Sequence, residues 1–385
     1  MHHAAPLRAI PGLTALALAL TACPGPEVAG TPDAGAEDSG LGADAGFPPD
    51  SGETDAGFED AGPPPLAPAF EALSGTAPST PAGRWGAWLV HAPARHALYQ
   101  FGGSHYPTSN ASSAQAWSYD LESQSWSELS TSGDVPAARY CLCATYLPDQ
   151  DEILFVGGRN AQGPLPVGAW TLDLETLAWT AVTDGDIPPG VVGCHAAWFP
   201  PGGYALVFGG DGYSGLQRQS YTYDPVNRAF AKLDVANPPI ARRDGMMAYD
   251  PVSAQVVLHG GAGRIGPGGA HYNDTWVFDG ADWAELTTSG GPPPERRWGA
   301  FGVDPARHRF VLFSGTQETE DHQDLWTLDL DTGAWTQHQD VTLPMPRAGA
   351  SHAFVPEEDA LYFFGGLTQP DYRALTDGWR IKLGG

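Results

Sequence analysis

Basic residues are scarce in this chain of 385 residues, which has 19 Lys and Arg against 45 Asp and Glu and a formal net charge of −26. Only Lys232 and Lys382 are lysines, so arginine supplies nearly all of the positive charge. A chain this acidic offers no overall basic face to nucleic acid. What is abundant is glycine (49), proline (36) and aromatic residues (11%), which favours many short strands joined by turns over a helical bundle.

Long apolar runs are also missing at the amino terminus, where Ala9 to Leu20 falls short of the about 20 residues that a membrane-spanning helix needs. The run ends in Leu20-Thr21-Ala22-Cys23, which resembles the lipobox of a bacterial lipoprotein signal peptide. We therefore expect residues 1–22 to be removed and Cys23 to be lipidated, which would anchor the protein outside the cytoplasm. Pro24 follows the cysteine in place of an aspartate that favours inner-membrane retention, which indicates the outer membrane, on either its periplasmic or its outer side.

Residues 23–65 lack lysine and arginine altogether and are rich in Gly, Pro, Ala and acids, including repeated Asp-Ala-Gly tripeptides. Such a segment buries too little apolar surface to offset its chain entropy, and its like charges repel one another. We predict a disordered acidic linker here, because calcium-binding loops need denser ligands than these.

Six copies of one sequence unit follow in residues 66–385. Each contains an apolar run that ends in two small residues, and the copies are Gly102-Gly103, Gly157-Gly158, Gly209-Gly210, Gly260-Gly261, Ser314-Gly315 and Gly365-Gly366. In the first five units the small residues are followed by an aromatic residue that stands three positions before an aspartate. A second aromatic residue closes the unit. Alternating runs such as Trp326–Leu330 are typical of half-buried strands.

These glycine pairs and spaced aromatics resemble the kelch repeat, as found in galactose oxidase and kelch-like proteins. The resemblance implies an all-β fold, a six-bladed propeller built from four-stranded sheets. The sixth unit lacks an outer strand of its own, whereas Phe70-Glu71-Ala72-Leu73 is similar to the outer strands of other units. We therefore expect residues 68–74 to close the last blade, since an open edge is a liability.

Arginines recur just before the innermost strand of the units, at Arg84, Arg139, Arg242/Arg243, Arg296/Arg297 and Arg347, and the third unit has Gly190 there. Kelch-type substrate adaptors of ubiquitin ligases use arginines at this place to hold acidic peptides. The matching positions here, Arg84, Arg139, Arg243, Arg297 and Arg347, are therefore candidate ligand-binding residues around one channel mouth. The alternative is that each arginine pairs with a neighbouring carboxylate or with backbone carbonyls.

Cysteine is rare, with Cys141, Cys143 and Cys194 beyond Cys23. Counting from Arg139 and Gly190 places Cys143 and Cys194 at equivalent positions of adjacent blades. A disulfide between them, a Cys141–Cys194 disulfide, and buried free thiols all remain open. The cysteine spacing fits no strong zinc motif, so we expect no metal and no cofactor.

Catalytic motifs are missing as well: there is no phosphate loop, nucleophile elbow or metalloprotease helix. We therefore predict a binding or scaffold protein rather than an enzyme, one that presents the channel mouth and the loops 104–115, 262–273 and 316–324 to a protein or glycan, with anionic character favoured. The enzymatic alternative, by analogy with bacterial sialic-acid mutarotases, acts on an acidic sugar. A buried carboxylate–histidine pair near the arginines would favour that alternative.

Overall fold

The computed structural model of the protein describes residues 67–73, 80–105, 111–165, 168–263, 269–339 and 341–384. The predicted signal peptide, the linker and Cys23 lie outside these residues. The described residues belong to one compact unit, Gly62–Gly385. Their regular structure is mostly β-strand, and the helical elements of this part of the chain are short 3-10 turns at Pro93–Arg95, Pro200–Gly202 and Pro356–Glu358.

The strands form six antiparallel sheets, which are the blades of a propeller, and this confirms the predicted fold class. In each blade the first strand is innermost, and later strands lie progressively further out. Blades 1 to 3 consist of Trp88–Ala92, Ala97–Phe101, Ala116–Asp120, Ser125–Leu129; Tyr140–Leu147, Glu152–Asn160, Ala169–Asp173, Ala178–Val182; and His195–Phe199, Tyr204–Phe208, Ser220–Asp224, Ala229–Leu233. Blades 4 to 6 consist of Met246–Asp250, Gln255–Ala262, His271–Phe278, Trp283–Glu285; Ala300–Asp304, Arg309–Phe313, Leu325–Asp329, Trp335–Gln337; and Ser351–Val355, Ala360–Phe364, Gly378–Lys382, Ala69–Ala72.

Shorter strands decorate the blades. Ser132–Gly133 and Asp184–Gly185 pair in parallel with the fourth strands of blades 2 and 3, and Gly163–Pro164 pairs antiparallel with the end of the second strand of blade 2. Small hairpins form in the loops between second and third strands, from Asp211–Gly212 with Gly215–Leu216, Thr316–Gln317 with Glu320–Asp321, and Leu367–Thr368 with Arg373–Ala374.

The amino-terminal strand closes the ring, as predicted. Ala69–Ala72 pairs antiparallel with Gly378–Lys382, so the last blade joins residues from both ends of the described region. Phe70 packs its ring 5.0 Å from that of Phe313 in blade 5, and Glu71 accepts a 2.7 Å hydrogen bond from Arg380. Closure therefore combines backbone pairing, apolar packing and an ion pair.

Aromatic residues fill the wedges between adjacent blades, because the sheets fan apart from the axis. Trp179 of blade 2 packs 4.8 Å from Phe101 of blade 1, and Trp283 of blade 4 packs 5.2 Å from Phe208 of blade 3. The same contact recurs where the ring closes, with Trp126 of blade 1 at 4.7 Å from Phe364 of blade 6. Such pairs add specific edge-to-face attraction to the burial of large apolar surfaces.

The ring has two unlike faces. The hairpin face holds the turns between first and second strands, at 93–96, 148–151, 200–203, 251–254, 305–308 and 356–359. The loop face holds the glycine pairs and the longer connections between second and third strands. The candidate ligand-binding arginines precede the first strands and therefore lie toward the loop face.

Candidate functional site

Five arginines occupy one repeated structural position, in which both sides of the guanidinium bind backbone. In each, Nε donates to the carbonyl two residues earlier, and Nη1 donates to the carbonyl eighteen residues later, at distances of 2.7 to 3.2 Å. These arginines are Arg84, Arg139, Arg242, Arg296 and Arg347. All are buried, and each joins the start of its blade to the first of that blade's two small residues, in five of the six blades.

The third blade has Val191 at this position, not Gly190 as the sequence predicted. The second glycine of each pair donates its N–H to the carbonyl at this position in the next blade, and Gly158 donates to Val191 at 2.8 Å. The predicted equivalence of Cys143 and Cys194 is therefore wrong by one residue. Cys143 faces Val156 across the sheet as His195 faces Phe208, so Cys143 and His195 are the equivalent pair.

Aspartates complete this position in blades 4 to 6. Both oxygens of Asp274, Asp324 and Asp377 accept from the arginine fork at 2.6 to 3.0 Å, and the indole of Trp276, Trp326 or Trp379 donates to the same carboxylate. Burial alone raises the pKa of Asp324, but the hydrogen bonds and charge of Arg296 outweigh it and hold the pKa below its ordinary value.

Blades 1 and 2 satisfy the same arginine without a carboxylate partner among the described residues. Arg84 donates to the side-chain oxygen of Gln115 at 3.1 Å, and Arg139 lies 4.0 Å over the ring of Trp170. Burial lowers the pKa of each guanidinium to about 10. Three of the candidate residues, Arg84, Arg139 and Arg347, therefore serve the framework of the blades.

Arg243 and Arg297 stand one residue further along and have a different environment. The Nε of Arg243 donates to Asp244 Oδ2 at 2.7 Å, and its Nη1 lies 3.3 Å from Asp211 Oδ2. Arg297 Nη1 is 3.6 Å from the same Asp244 oxygen, and its guanidinium lies 3.8 Å over the ring of Trp298. We call Arg243, Asp244, Arg297 and Trp298 the mouth cluster.

Within the mouth cluster two buried guanidiniums share one buried carboxylate, Asp244, while the partly buried Asp211 faces Arg243 from outside the cluster. Burial opposes the charge of Arg243, yet Asp244 outweighs it and raises the pKa of Arg243 above its ordinary value. Burial prevails at Arg297 and lowers its pKa. Arg297 Nε and Nη1 and Asp244 Oδ1 are buried and lack a hydrogen-bond partner among the described residues, so polar capacity remains unused here.

The mouth cluster is built on an unusual ring of backbone. Six residues, one from each blade, form a closed cycle in which each N–H donates to the carbonyl of its neighbour in the preceding blade at 2.8 to 3.0 Å. We call this ring the backbone hexad, and it consists of Gly86, Cys141, Gly193, Asp244, Trp298 and Gly349. All six have φ between 54° and 67°, a region that favours glycine.

Glycine occupies three of the six hexad positions, although the positive φ favours glycine at all six. Asp244 and Trp298 instead place large side chains at left-handed φ, each with φ 61°. The indole of Trp298 contacts that of Trp85, with ring centroids 5.2 Å apart, and Trp85 in turn contacts Tyr140 at 5.1 Å. Strained positions of this kind concentrate at functional sites. Sequence reasoning missed the hexad, although its members lie two residues after the framework arginine or Val191.

The cysteines lie close to this site. A disulfide joins Cys143 and Cys194, which tie the first strands of blades 2 and 3 together. Cys141 is the free cysteine of the described residues, and burial raises the pKa of its thiol to about 12. The alternative Cys141–Cys194 pairing does not form.

Several histidines of the described residues have defined hydrogen-bond partners. Histidine–carboxylate hydrogen bonds join His91 to Glu357 and His308 to Asp250 and Asp331, and these residues lie toward the hairpin face. His195 is fully buried and bonded to backbone on both ring nitrogens, at Phe208 and Gly245. In the described ranges no group of three or more His, Cys, Asp or Glu could hold a metal, and no helix could cross a membrane.

The fold and its loop face define a propeller of the kind that serves as a protein-binding scaffold. The model of the KLHDC2/KLHL20/DRC7 Kelch-repeats domain family matches residues 89–307, which is more than half of the chain. The chain therefore belongs to this kelch-repeat family.

Similar proteins match this chain over part of their own length. Kelch domain-containing protein 2 of Bos taurus is 25% identical over 278 residues, which cover 69% of this chain and 57% of that protein. Acyl-CoA-binding domain-containing protein 5 of Arabidopsis thaliana is 28% identical over 63% of this chain and 38% of its own length. Rab9 effector protein with kelch motifs of Homo sapiens is 28% identical over 44% of this chain and 47% of its own length. The chain thus spans between 38% and 57% of these relatives.

Proposed function

We propose that this kelch propeller is a non-catalytic scaffold that binds a partner protein at its loop face and holds an anionic segment of that partner at the mouth cluster. The carrying observation is the pair of buried guanidiniums, Arg243 and Arg297, that share the carboxylate of Asp244 beside the half-buried ring of Trp298. Guanidinium donors recognise carboxylates through charge-assisted hydrogen bonds, and aromatic faces supply contact area at small entropic cost. The Rab9 effector relative is named for a protein partner, which is consistent with this assignment.

An anionic glycan shares the chemistry of an acidic peptide, so the test must separate them. A fluorescein-labelled pentaglutamate peptide, titrated against the full chain and followed by anisotropy, is the probe. We expect Arg297→Ala to weaken binding by about tenfold, equivalent to ~1.4 kcal/mol. Asp244 keeps its ion pair with Arg243 in this variant, so the fold should survive.

Arg95→Ala is the matched control, because it removes the same charge from an ion pair with Asp151 at the hairpin face. It should leave peptide affinity unchanged. Equal weakening in both variants would show a mere response to net charge and would overturn the proposal. Displacement of the peptide by free sialic acid, with no stable complex with any acidic peptide, would assign the site to glycans instead.

The histidine–carboxylate hydrogen bonds His91–Glu357 and His308–Asp250 lie toward the hairpin face, so they do not favour the mutarotase alternative at the mouth cluster. Attachment through Cys23 to the outer membrane remains part of the proposed function. It rests on Leu20-Thr21-Ala22-Cys23 alone. Metabolic labelling with a fatty acid should mark the wild-type chain in a bacterial host and should fail for Cys23→Ser. Labelling of the Ser variant would contradict lipidation at this residue.

A further inference from the structure

The central channel of the propeller is closed toward the loop face and open toward the hairpin face. The backbone hexad draws six chain segments together across the axis, with donor–acceptor distances of 2.8 to 3.0 Å around the cycle. Below it lies a small enclosed void of about 40 Å³, bordered by hexad residues on one side and by Trp88, Phe301 and His352 on the other. The same three side chains form the floor of a much larger cavity that opens at the hairpin face.

This cavity has the size and walls of a small-molecule site. Its volume is about 440 Å³, within the range of about 300–1,000 Å³ that is usual for ligand pockets. All six first strands line it. Next to the floor stands a level of small side chains, formed by Val90, Thr145, Ala197, Ala248, Gly302 and Ala353. Nearer the opening stands a level of mostly aromatic side chains, formed by His91, Tyr146, Trp198, Tyr249, Val303 and Phe354.

The two levels come from consecutive residues of the strands. We call the space inside the level of small residues the chamber, and the mostly aromatic level beside the opening the collar. The small residues widen the space in the middle, and the rings beside the opening offer flat faces. Trp88, Trp198, Tyr249 and Phe354 are all only partly buried, so aromatic surface remains uncovered inside a concave site. Half-covered rings in a cavity are the usual means of holding a planar ligand by stacking.

The cavity lacks charged side chains and therefore does not suit an ionic ligand. None of its lining residues is Asp, Glu, Lys or Arg. Charged groups near the rim are already paired, as Glu357 is with His91 and Asp151 is with Arg95. A ligand ion would lose its hydration here without gaining a counter-charge.

Hydrogen-bonding groups are nevertheless present. Each first strand pairs only with the second strand of its blade, so its other edge turns backbone N–H and C=O groups toward the axis. One of these groups, the N–H of Trp198, donates to Thr145 Oγ1 at 2.9 Å. His352 Nδ1 donates to the Ala350 carbonyl at 3.0 Å, which leaves Nε2 as an acceptor. Burial lowers the pKa of His352 to about 4, so the ring is neutral at physiological pH. The chamber therefore combines flat apolar walls with uncharged donors and acceptors.

We propose that the hairpin-face cavity binds one flat, uncharged aromatic or heteroaromatic molecule, stacked between the rings of its collar and bonded to strand-edge backbone. This site lies opposite the mouth cluster and is independent of the protein-binding function proposed above. The hexad makes it a blind pocket with a single opening.

The test uses a pair of fluorophores that differ in charge. Uncharged N-phenylnaphthylamine should bind the full chain with a stoichiometry of one and with enhanced emission. Its sulfonated analogue, anilinonaphthalenesulfonate, should bind at least about tenfold more weakly, because the sulfonate finds no counter-charge. The double variant Ala248→Leu/Ala353→Leu fills the chamber and should reduce affinity for the uncharged dye by about tenfold or more, with cooperative melting retained.

Val252→Ser is the matched control, since Val252 is an exposed apolar residue just outside the cavity. It should leave dye binding unchanged, and so should Arg297→Ala at the opposite face. If the filled double variant does not fold, the single variant Ala353→Leu provides the same reading with a smaller loss of affinity. Unaltered binding in a folded filled variant, loss of binding in Val252→Ser, or equal affinity for both dyes would overturn the proposal.

Discussion

The two halves of the ring solve the same structural problem with different chemistry. Every blade must join its amino-terminal end to its glycine pair. Blades 4 to 6 do so with arginines clamped by Asp274, Asp324 and Asp377, whereas blades 1 and 2 use arginines held by neutral groups. Blade 3 has no arginine there, and a disulfide ties it to blade 2. The backbone carbonyl bonds are common to all five arginines, so the carboxylates are additions to the motif rather than its basis.

The largest difference between the halves should appear when the arginine is removed. Arg296→Met leaves the buried carboxylate of Asp324 without its fork and should destabilise the protein by about 3–5 kcal/mol. Arg139→Met leaves only backbone carbonyls without a hydrogen-bond donor and should lower the free energy of unfolding by about 1–3 kcal/mol. Urea unfolding followed by tryptophan fluorescence measures both.

Two controls sharpen this comparison. The double variant Arg296→Met/Asp324→Leu should recover part of the loss, because no buried charge is left unpaired. Equal losses for Arg296→Met and Arg139→Met would mean that the carboxylate clamps contribute nothing beyond the carbonyl bonds.

Removal of the disulfide should have the next largest effect on stability, and this effect should be confined to blades 2 and 3. Cys143 and Cys194 are 51 residues apart, so the bridge restricts a long loop of the unfolded chain. Cys143→Ala/Cys194→Ala should lower the free energy of unfolding by about 2–4 kcal/mol. Hydrogen exchange should show faster local opening of blades 2 and 3, while protection in blade 5 changes less. A uniform change across all blades would contradict a local role.

Acid should affect blades 4 to 6 before blades 1 and 2, whereas loss of the disulfide affects blades 2 and 3. The arginine clamps lower the pKa values of Asp274, Asp324 and Asp377 below their ordinary value of 3.8, in spite of burial. A carboxyl with a lowered pKa stabilises the fold fully above its unfolded value, and the contribution is lost as pH falls through the folded pKa. Below about pH 3.8, hydrogen exchange should therefore accelerate first in blades 4 to 6. Earlier opening of blades 1 and 2 would refute this assignment.

Much of this organisation is predictable from the sequence, because it rests on local spacing. The glycine pairs give the blade number, and the likeness of Phe70–Leu73 to other outer strands gives the ring closure. The register of the arginines was harder, since the doublets Arg242-Arg243 and Arg296-Arg297 conceal which member is the framework residue. The constant eighteen-residue step to the glycine pair resolves it and identifies Val191 in blade 3.

The backbone hexad could not be predicted in this way. Its cyclic hydrogen bonds join six segments that are far apart in the chain, and its left-handed φ values are imposed by those bonds. No propensity assigns such a conformation to Trp298 or Asp244. The deep aromatic cavity depends likewise on which edge of each inner strand faces the axis.

The smallest expected effects come from replacing non-glycine members of the hexad, and these separate framework from function within it. Cys141→Gly relieves a left-handed φ and removes a buried thiol, so unfolding should change by less than about 1 kcal/mol. Trp298→Gly also relieves strain but loses the contact with Trp85 and the stacking of Arg297, and these effects should nearly cancel in stability. Binding of the pentaglutamate peptide should nevertheless weaken in Trp298→Gly and not in Cys141→Gly. If both variants keep full affinity, the tryptophan is at its strained position for reasons of packing alone, and the mouth cluster reduces to its two arginines and Asp244.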